Sequence, residues 1–354
     1  MALIVINARF LTQNVTGVQR FAIEICKILK VKFSNDIVFL TPKNINQKEL
    51  AEELGAQVIG NNCGHVWEQI ELPMYLKKHG NPVLVNLCNT APLFYKNKIV
   101  TIHDVGFEVF PNTYSKKFLF FYKWLIPKII SNSKKVLTVS NFSKDEIIKY
   151  YGTPAEKVEV VNNAVGSDFH EIKDETLSTQ NYFLAVSSLN YRKNLPLVLK
   201  AFELFSKKHS DYKLYIIGDF DSKSFSSLNL DRYERIKGIE FKGRVSDQEL
   251  IKYYSNAVAF IYPSFYEGFG IPPLEAQSCN CPVIVSAISC LPEIFDQSVL
   301  YCNPEDSDSL LVQMNTVKEE SCRERLVNLG MNNTKKYDWQ VSAEKVYKII
   351  EKYS

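Results

Sequence analysis

Two carboxylates, Glu267 and Glu275, bracket the stretch YPSFYEGFGIPPLE that runs from Tyr262 to Glu275. Ionised carboxylates only accept hydrogen bonds, and a pair of them suits the vicinal hydroxyls of a sugar ring or a ribose. Between them, Gly268 and Gly270 let backbone approach a ligand closely. Pro272 and Pro273 stiffen the start of the helix that follows. The free N–H groups of a helix start favour an anion. Upstream, the adjacent cations Arg192 and Lys193 can neutralise a diphosphate. Diphosphate plus hydroxyl-rich rings describes a nucleotide sugar.

These residues need elements to hold them. The apolar run 257–261 (AVAFI) has strand length, and residues 274–278 read as a short helix. Strand, Gly-rich loop and helix place both carboxylates beyond the carboxyl end of a parallel strand, where open α/β sheets bind ligands. A plain β-turn-α corner would also carry two solvated glutamates; two glycines, two prolines and both glutamates in register favour the ligand. The rest of the second half repeats the pattern. Strands are predicted at 182–187, 214–217 (followed by Gly218), 241–245 and 283–286, with the segment 289–293 after the last of them. Arg192-Lys193-Asn194 lies between the first of these strands and a helix at 195–205, and Ser246 with Glu249 forms a capping box. Helices are predicted at 304–315 and 320–335.

The first half opens on a buried strand, 3–6 (LIVI), a turn at Gly17, and a helix carrying Phe21, Ile25, Ile28 and Leu29. This is the first unit of a doubly wound sheet. It has no G-x-G-x-x-G, so a dinucleotide cofactor is not expected. Strands follow at 37–40, 83–87, 99–102, 136–139 and 158–161, and an amphipathic helix with Trp67 and Glu68 is predicted at 66–76. Asn86, Asn89 and Thr90 stand at the end of the 83–87 strand. The 99–102 strand runs into His103-Asp104; a histidine there is as often a capping or core residue as a ligand contact. Ser143 with Glu146 reads as a further capping box, and the polar stretch 170–180 as the linker between halves. Residues 114–135 show Phe118, Phe121, Tyr122 and Leu125 at helical spacing, surrounded by Lys117, Lys123, Lys128, Lys134 and Lys135. Two readings stay open: a core helix with a solvated basic face, or a helix laid against anionic lipid headgroups.

With 354 residues, 46% of them apolar, the chain can bury a core in each of two domains. No window of twenty apolar residues predicts a membrane span, and MALIVINARF reads as a first strand and not as a signal peptide. The eight cysteines form no C-x-x-C and share no metal-like spacing with histidine, which points to free buried thiols in a reducing compartment. Residues 1–170 hold 20 Lys and Arg against 14 Asp and Glu, and the remainder 22 against 25. The first half is therefore the one to face an anionic partner; no recognition motif points to nucleic acid.

The E-G-F-G-x-P-x-x-E pattern of 267–275 resembles the signature of the family 4 retaining glycosyltransferases, among them bacterial polysaccharide and O-antigen mannosyltransferase-like enzymes. Pro263-Ser264, Pro282-Val283, Leu291-Pro292-Glu293, the Arg192-Lys193-Asn194 segment and Val161 to Val165 agree with it. Ala164 and Asn280 depart from it, each where the family commonly has Gly. The resemblance implies two Rossmann-like, doubly wound α/β domains facing across a cleft, the GT-B fold. The first, residues 1–170, would bind the acceptor and be completed by a helix at 338–354; the second, 181–337, would bind the nucleotide sugar.

It further implies roles for residues. Gly17 would lie near the donor phosphates. His103, with Asp104 beside it, would reach the donor sugar. Arg192 and Lys193 would stabilise the leaving nucleoside diphosphate without a metal, Glu267 would bond sugar hydroxyls and Glu275 the ribose diol. The base would sit near Gly243 and Val245, and Tyr266, Gly268, Phe269 and Gly270 would complete the donor pocket. The expected reaction is retaining, metal-independent hexosyl transfer, mannose favoured, from GDP-mannose or a UDP or dTDP sugar to a growing glycan or lipid-linked saccharide, with no cofactor. The expected place is the cytoplasm, in peripheral contact with the inner face of an anionic membrane. The rival readings are a nucleotide-sugar epimerase of the same fold, a glycogen-type synthase and a non-catalytic glycan-binding subunit.

Overall fold

In the computed structural model, which describes residues 3–33, 36–186, 190–218, 233 and 236–354, the short apolar runs are strands and the amphipathic segments are the helices that cover them. By its internal contacts the chain divides into two units, Met1–Asn163 with Asp338–Ser354, and Ala164–Tyr337.

The first unit holds strands β1 (Ile4–Asn7), β2 (Ile37–Thr41), β3 (Gln57–Val58), β4 (Val83–Asn86), β5 (Lys98–Thr101), β6 (Lys135–Thr138) and β7 (Val158–Val160). They form one parallel sheet in the order β3-β2-β1-β4-β5-β6-β7. Central strands such as β1 and β4 are buried along their whole length, as a sheet covered on both faces requires. Strand order reverses between β1 and β4, which makes that gap the switch point. The helix Gly17–Lys32 buries Phe21, Ile25 and Leu29. The helix Trp339–Glu351 packs on it, with the Trp339 ring 6.0 Å from Phe21 and Tyr347 stacked on Phe33.

Two other segments of this unit bear on function. Between residues 64 and 78 an α turn, a π turn (Trp67–Glu71) and an α helix (Leu72–Lys78) follow one another. The wider π turn accompanies burial of two sequence neighbours at once, Trp67 and Glu68. The helix Lys116–Ser131 packs Leu125, Ile126, Ile129 and Ile130 into a cluster with Val100 and Ile102, with Phe118, Phe121 and Tyr122 half-buried against it. Its other face is also aromatic: Phe120 is 81% exposed and Trp124 47%, among the exposed Lys116, Lys117, Lys123 and Lys128. Lys128 Nζ sits 3.8 Å from the centre of the Trp124 ring, and Lys123 pairs with Glu108 at 2.7 Å. No helix among the described residues is long and apolar enough to cross a membrane.

The second unit holds β8 (Asn181–Val186), β9 (Tyr212–Ile217), β10 (Ile239–Gly243), β11 (Ala259–Tyr262), β12 (Val283–Ser286) and β13 (Leu300–Cys302). This sheet is again parallel, in the order β10-β9-β8-β11-β12-β13, and its switch point lies between β8 and β11. Its core gathers Phe183, Phe202 and Phe205 with Leu214, Ile216 and Ile261. Each fully buried phenylalanine contributes on the order of 2 kcal/mol.

Several boundaries differ from the sequence-based expectation. The helix Asn141–Tyr151 is capped by Ser140, whose hydroxyl accepts from the Ser143 N–H at 3.0 Å; Ser143 lies inside the helix and is buried. Strand β10 ends at Gly243 and does not reach Val245, because Gly243 turns into the left-handed region at φ 70°. The stretch 170–180 is tied to the helix Asp247–Asn256 of the second unit: Ile172 N–H donates to Ser255 Oγ at 2.9 Å and Asp174 N–H to Asn256 Oδ1 at 3.2 Å. The division by contacts therefore falls earlier, between Asn163 and Ala164. Ser187, the last residue of the predicted 182–187 strand, lies outside the described residues.

Candidate active site

In the second unit, the loops that follow β8 and β11 flank the switch point, and each brings one partner of an ion pair. Tyr191–Lys193 forms a single 3-10 turn that ends on Asn194 in the left-handed region, φ 55°. Asn194 holds that bend by donating to the carbonyls of Pro263 at 3.2 Å and Pro304 at 2.7 Å. The Phe265 N–H donates to the Arg192 carbonyl at 2.8 Å, and the rings of Tyr191 and Phe265 stack at 5.3 Å. Fixed in this way, Lys193 Nζ lies 2.8 Å from Glu267 Oε1 and also donates to the Tyr262 hydroxyl at the end of β11.

Electrostatics follow from this packing. Burial pushes the Glu267 carboxyl up, but the charge and hydrogen bond of Lys193 and the nearby Arg192 outweigh it and hold the group below its ordinary value. Burial pulls the Lys193 ammonium down, and Glu267 and Tyr262 more than compensate, so it stays protonated. Lys193 and Glu267 are paired here, and the Arg192 charge also acts on Glu267, so two cations and one carboxylate meet at this edge.

The loop past Glu267 turns into the helix Ile271–Ser278 through Gly270, φ 92°. A Cβ at Gly270 would meet Leu291 Cδ2 at 2.9 Å and Phe295 Cε2 at 3.2 Å, so conformation and space both require glycine. Tyr266, Gly268 and Phe269 are buried, and Phe269 meets Tyr337 edge-on at 5.2 Å. Glu275 is buried one turn into the helix, close enough for its charge to act on the Tyr254 phenol and the Cys279 thiol. Gly243 and half-buried Val245 stand at the end of the edge strand β10.

In the first unit, Gly17 is the exposed first residue of its helix, after Thr16, whose N–H donates to Gln19 Oε1 at 3.2 Å. His103 is buried just past β5. Its Nε2 donates to the Leu87 carbonyl at 2.9 Å, and its backbone N–H to Asn89 Oδ1 at 2.8 Å. Phe21 packs edge-on to the imidazole at 5.0 Å. Burial lowers the His103 pKa against the Leu87 hydrogen bond and the Asp104 charge, so at neutral pH the ring is neutral and Nδ1 is its acceptor. Asp104 Oδ1 accepts from the Gly106 N–H at 2.8 Å.

Sequence reasoning assigned no role to a third group, at the switch point of the first sheet. Asn7, the last residue of β1, donates to Glu68 Oε1 and to Asn86 Oδ1, each at 2.9 Å. Arg9 pairs with the same Glu68 oxygen through Nε at 3.2 Å and donates to Thr90 Oγ1 at 2.8 Å; Thr90 donates on to Glu68 at 3.0 Å. Glu68 Oε2 lies 3.2 Å from His65 Nδ1. The available signals were an acid beside a tryptophan on the inner face of a helix, and asparagines closing two buried strands.

Comparison with known proteins agrees with this architecture. Residues 15–169 match the family model described as Glycosyltransferase Family 4, and residues 168–336 the one described as Glycosyl transferases group 1. The chain is 38% identical over 238 residues to the O-antigen chain mannosyltransferase RfbU of Salmonella typhimurium, a match spanning 66% of this chain and 64% of that protein, just under two thirds. It is 29% identical over 268 residues to the O-antigen chain mannosyltransferase B of Escherichia coli, spanning 71% of this chain and 70% of that protein. The fold matches the crystal structure of Anabaena HepE in complex with UDP and glucose at a TM-score of 0.76 and 14% identity, covering 99% of this chain and 100% of the other. Matched by the two models from residue 15 to residue 336 and built of two parallel, doubly wound sheets, the chain belongs to the family 4 glycosyltransferases of the GT-B fold.

Proposed function

We propose that this enzyme transfers a hexose, mannose favoured, from a nucleoside-diphosphate sugar to a growing glycan or lipid-linked saccharide, with retention at the anomeric carbon and without a metal. The observation that carries the reading is the Lys193–Glu267 pair at the switch point of the second sheet, with Arg192 beside it. In this reading the second unit binds the donor. Arg192 and Lys193 meet the diphosphate and stabilise the charge that grows on it as the glycosidic bond breaks. Glu267 bonds sugar hydroxyls and keeps Lys193 in place. Glu275 bonds the ribose diol, Gly243 and Val245 border the base, and Tyr266, Gly268, Phe269 and Gly270 shape the pocket. In the first unit, which binds the acceptor, Gly17 lies near the phosphates and the bare Nδ1 of His103, with Asp104 beside it, takes a hydrogen bond from the donor sugar. Two mannosyltransferase relatives support the choice of mannose, and the donor is GDP-mannose or a UDP or dTDP alternative.

The acceptor reading extends to place. The basic, aromatic outer face of Lys116–Ser131 suits an anionic membrane surface, on the cytoplasmic side where nucleotide sugars are available. An epimerase of the same fold and a non-catalytic subunit are not favoured, since the family models and the curated relatives are transferases. The test is to incubate the full chain with methyl α-mannopyranoside as acceptor and with GDP-mannose, UDP-glucose or dTDP-glucose as donor, with and without EDTA. Nucleoside diphosphate release and product anomer are then read by NMR. Release from GDP-mannose that persists in EDTA, with an α product, is expected. No release from any donor, an inverted product, or loss in EDTA that magnesium restores would each overturn the corresponding part.

A further inference from the structure

The Asn7, Arg9, Glu68, Asn86 and Thr90 network has no part in the reading of the donor site, yet it occupies the position in the first sheet that the Lys193–Glu267 pair occupies in the second. All five side chains are buried, Glu68 with 1% exposure. A buried ion pair is an expensive way to fill a core, because desolvation of both ions offsets their attraction. At the carboxyl edge of the two strands that flank a switch point, a ligand is the more economical explanation.

We infer that this network is a subsite seating one hydroxyl of an uncharged acceptor saccharide, held by Arg9 as donor and Glu68 as acceptor. The inference rests on the glycosyl-transfer reading and names its acceptor class. Four observations carry it. The group offers donors and acceptors side by side, as a hydroxyl needs. Nε and one terminal nitrogen of Arg9 are engaged; the other terminal nitrogen has no protein partner among the described residues. A notch of about 10 Å³ opens among Arg9, Gln13, Glu68, Asn86, Cys88 and Thr90, room for a single oxygen. Beside it stands an aromatic rim on which the C–H face of a sugar ring can rest. His65, bonded to Glu68, packs 4.9 Å from Phe121, and Tyr122 is near enough to feel the charges of Arg9 and Glu68.

Charge selects against an anion here. Glu68 already neutralises Arg9 and is held below its ordinary pKa: burial raises it, but Arg9 and the hydrogen bonds from His65 and Thr90 outweigh that. A phosphate or carboxylate brought to Arg9 would meet this permanent carboxylate.

The test uses the full chain, with methyl α-mannopyranoside and methyl α-glucuronopyranoside as probes, titrated by saturation-transfer NMR against the wild type, Thr90→Val and Glu68→Gln. Thr90→Val keeps shape and removes only the hydroxyl, so it carries the test even if Glu68→Gln does not fold. The mannoside is expected to bind the wild type and to weaken about tenfold in each folded variant: Glu68→Gln loses the charged acceptor, and Thr90→Val loses the hydroxyl that holds Arg9 and Glu68 toward the ligand. The glucuronoside is expected to bind more weakly than the mannoside. No mannoside binding to the wild type, equal binding to wild type and Thr90→Val, or preference for the glucuronoside would overturn the inference. A purely structural network would lower the melting temperature of the variants and leave mannoside affinity alone. Nucleoside diphosphate affinity, measured in parallel, reports on the donor reading separately: its absence would count against that reading, and the mannoside comparison would still decide the subsite.

Discussion

Lys193 and Glu267 meet at 2.8 Å although 74 positions separate them, because β8 and β11 are neighbours in the sheet and each donates the loop past its end. Their mutual dependence is measurable. Lys193→Met or Glu267→Gln alone leaves a half-buried charge without its partner and is expected to cost about 1–2 kcal/mol of stability; the double variant should cost clearly less than the sum. Denaturant titration of all four proteins closes the cycle, and strict additivity would show the pair to be uncoupled.

Charge on the leaving diphosphate grows toward the transition state, so the two cations should matter to turnover more than to binding. Replacing Arg192 and Lys193 together with Ala is expected to lower kcat by about two to three orders of magnitude. Steady-state kinetics with a saturating donor gives the answer, and wild-type kcat in the double variant would remove both residues from the reaction.

Glu275 is buried within a helix, so its test must keep the shape of the side chain. Glu275→Gln is expected to fold normally and to weaken nucleoside diphosphate binding by about tenfold, as the ribose diol loses a charged acceptor. Calorimetry at fixed salt measures this. Unchanged affinity would place Glu275 outside the donor site.

The outer face of Lys116–Ser131 makes a prediction about surfaces. Each lysine near an anionic membrane is worth about 1 kcal/mol, screened by salt. Binding to anionic vesicles at low salt and release at high salt are expected. Lys116→Glu with Lys117→Glu and Lys128→Glu should abolish binding; Phe120→Ser with Trp124→Ser should weaken it even at low salt, because aromatic burial is not screened. Lys123 is the wrong position to change, since it serves Glu108. Sedimentation that ignores lipid charge would leave this helix a core helix with a solvated face.

Stability should also carry a pH signature from Lys98. Its ammonium group is buried at the start of β5, where it donates to the carbonyls of Leu93 at 3.4 Å and Tyr95 at 2.6 Å. Burial, with the Lys157 charge, pulls it down to about 7. The unfolded chain keeps the ordinary value near 10.4, so between these limits it binds more protons than the folded one. Stability must therefore rise with pH through that window and fall as pH returns toward 7. Melting curves of wild type and Lys98→Met from about pH 7 to about pH 9 should diverge in slope; parallel curves would show that Lys98 titrates normally.

How much of this was legible in the sequence depends on how local each feature is. The strand at 259–262, the Gly-rich loop and the helix after it follow from neighbouring residues, and so does the Ser246–Glu249 cap. Partners chosen by sheet order do not. Nothing near Glu267 says that Lys193 will reach it, and the Arg9–Glu68 network draws on three separate segments. The helix at 116–131 was half-legible: the spacing of Phe118, Phe121, Tyr122 and Leu125 marked its inner face. Phe120 and Trp124, four apart on the opposite face, were masked by aromatics on every side. Ser140 was missed as a cap because the strand runs almost directly into it.

The helix Trp339–Glu351 belongs with the first unit, yet it is made only after the whole of residues 164–337. During synthesis, then, Phe21 on the helix Gly17–Lys32 waits without Trp339, and Phe33 without Tyr347, while the second unit is already emerging. The order of manufacture is the reverse of the usual one: the unit begun first is finished last. Until that final helix arrives, the nascent protein shows an unclosed apolar stripe to the ribosome surface and its chaperones, and a ribosome that stops before residue 338 releases a first unit that was never sealed.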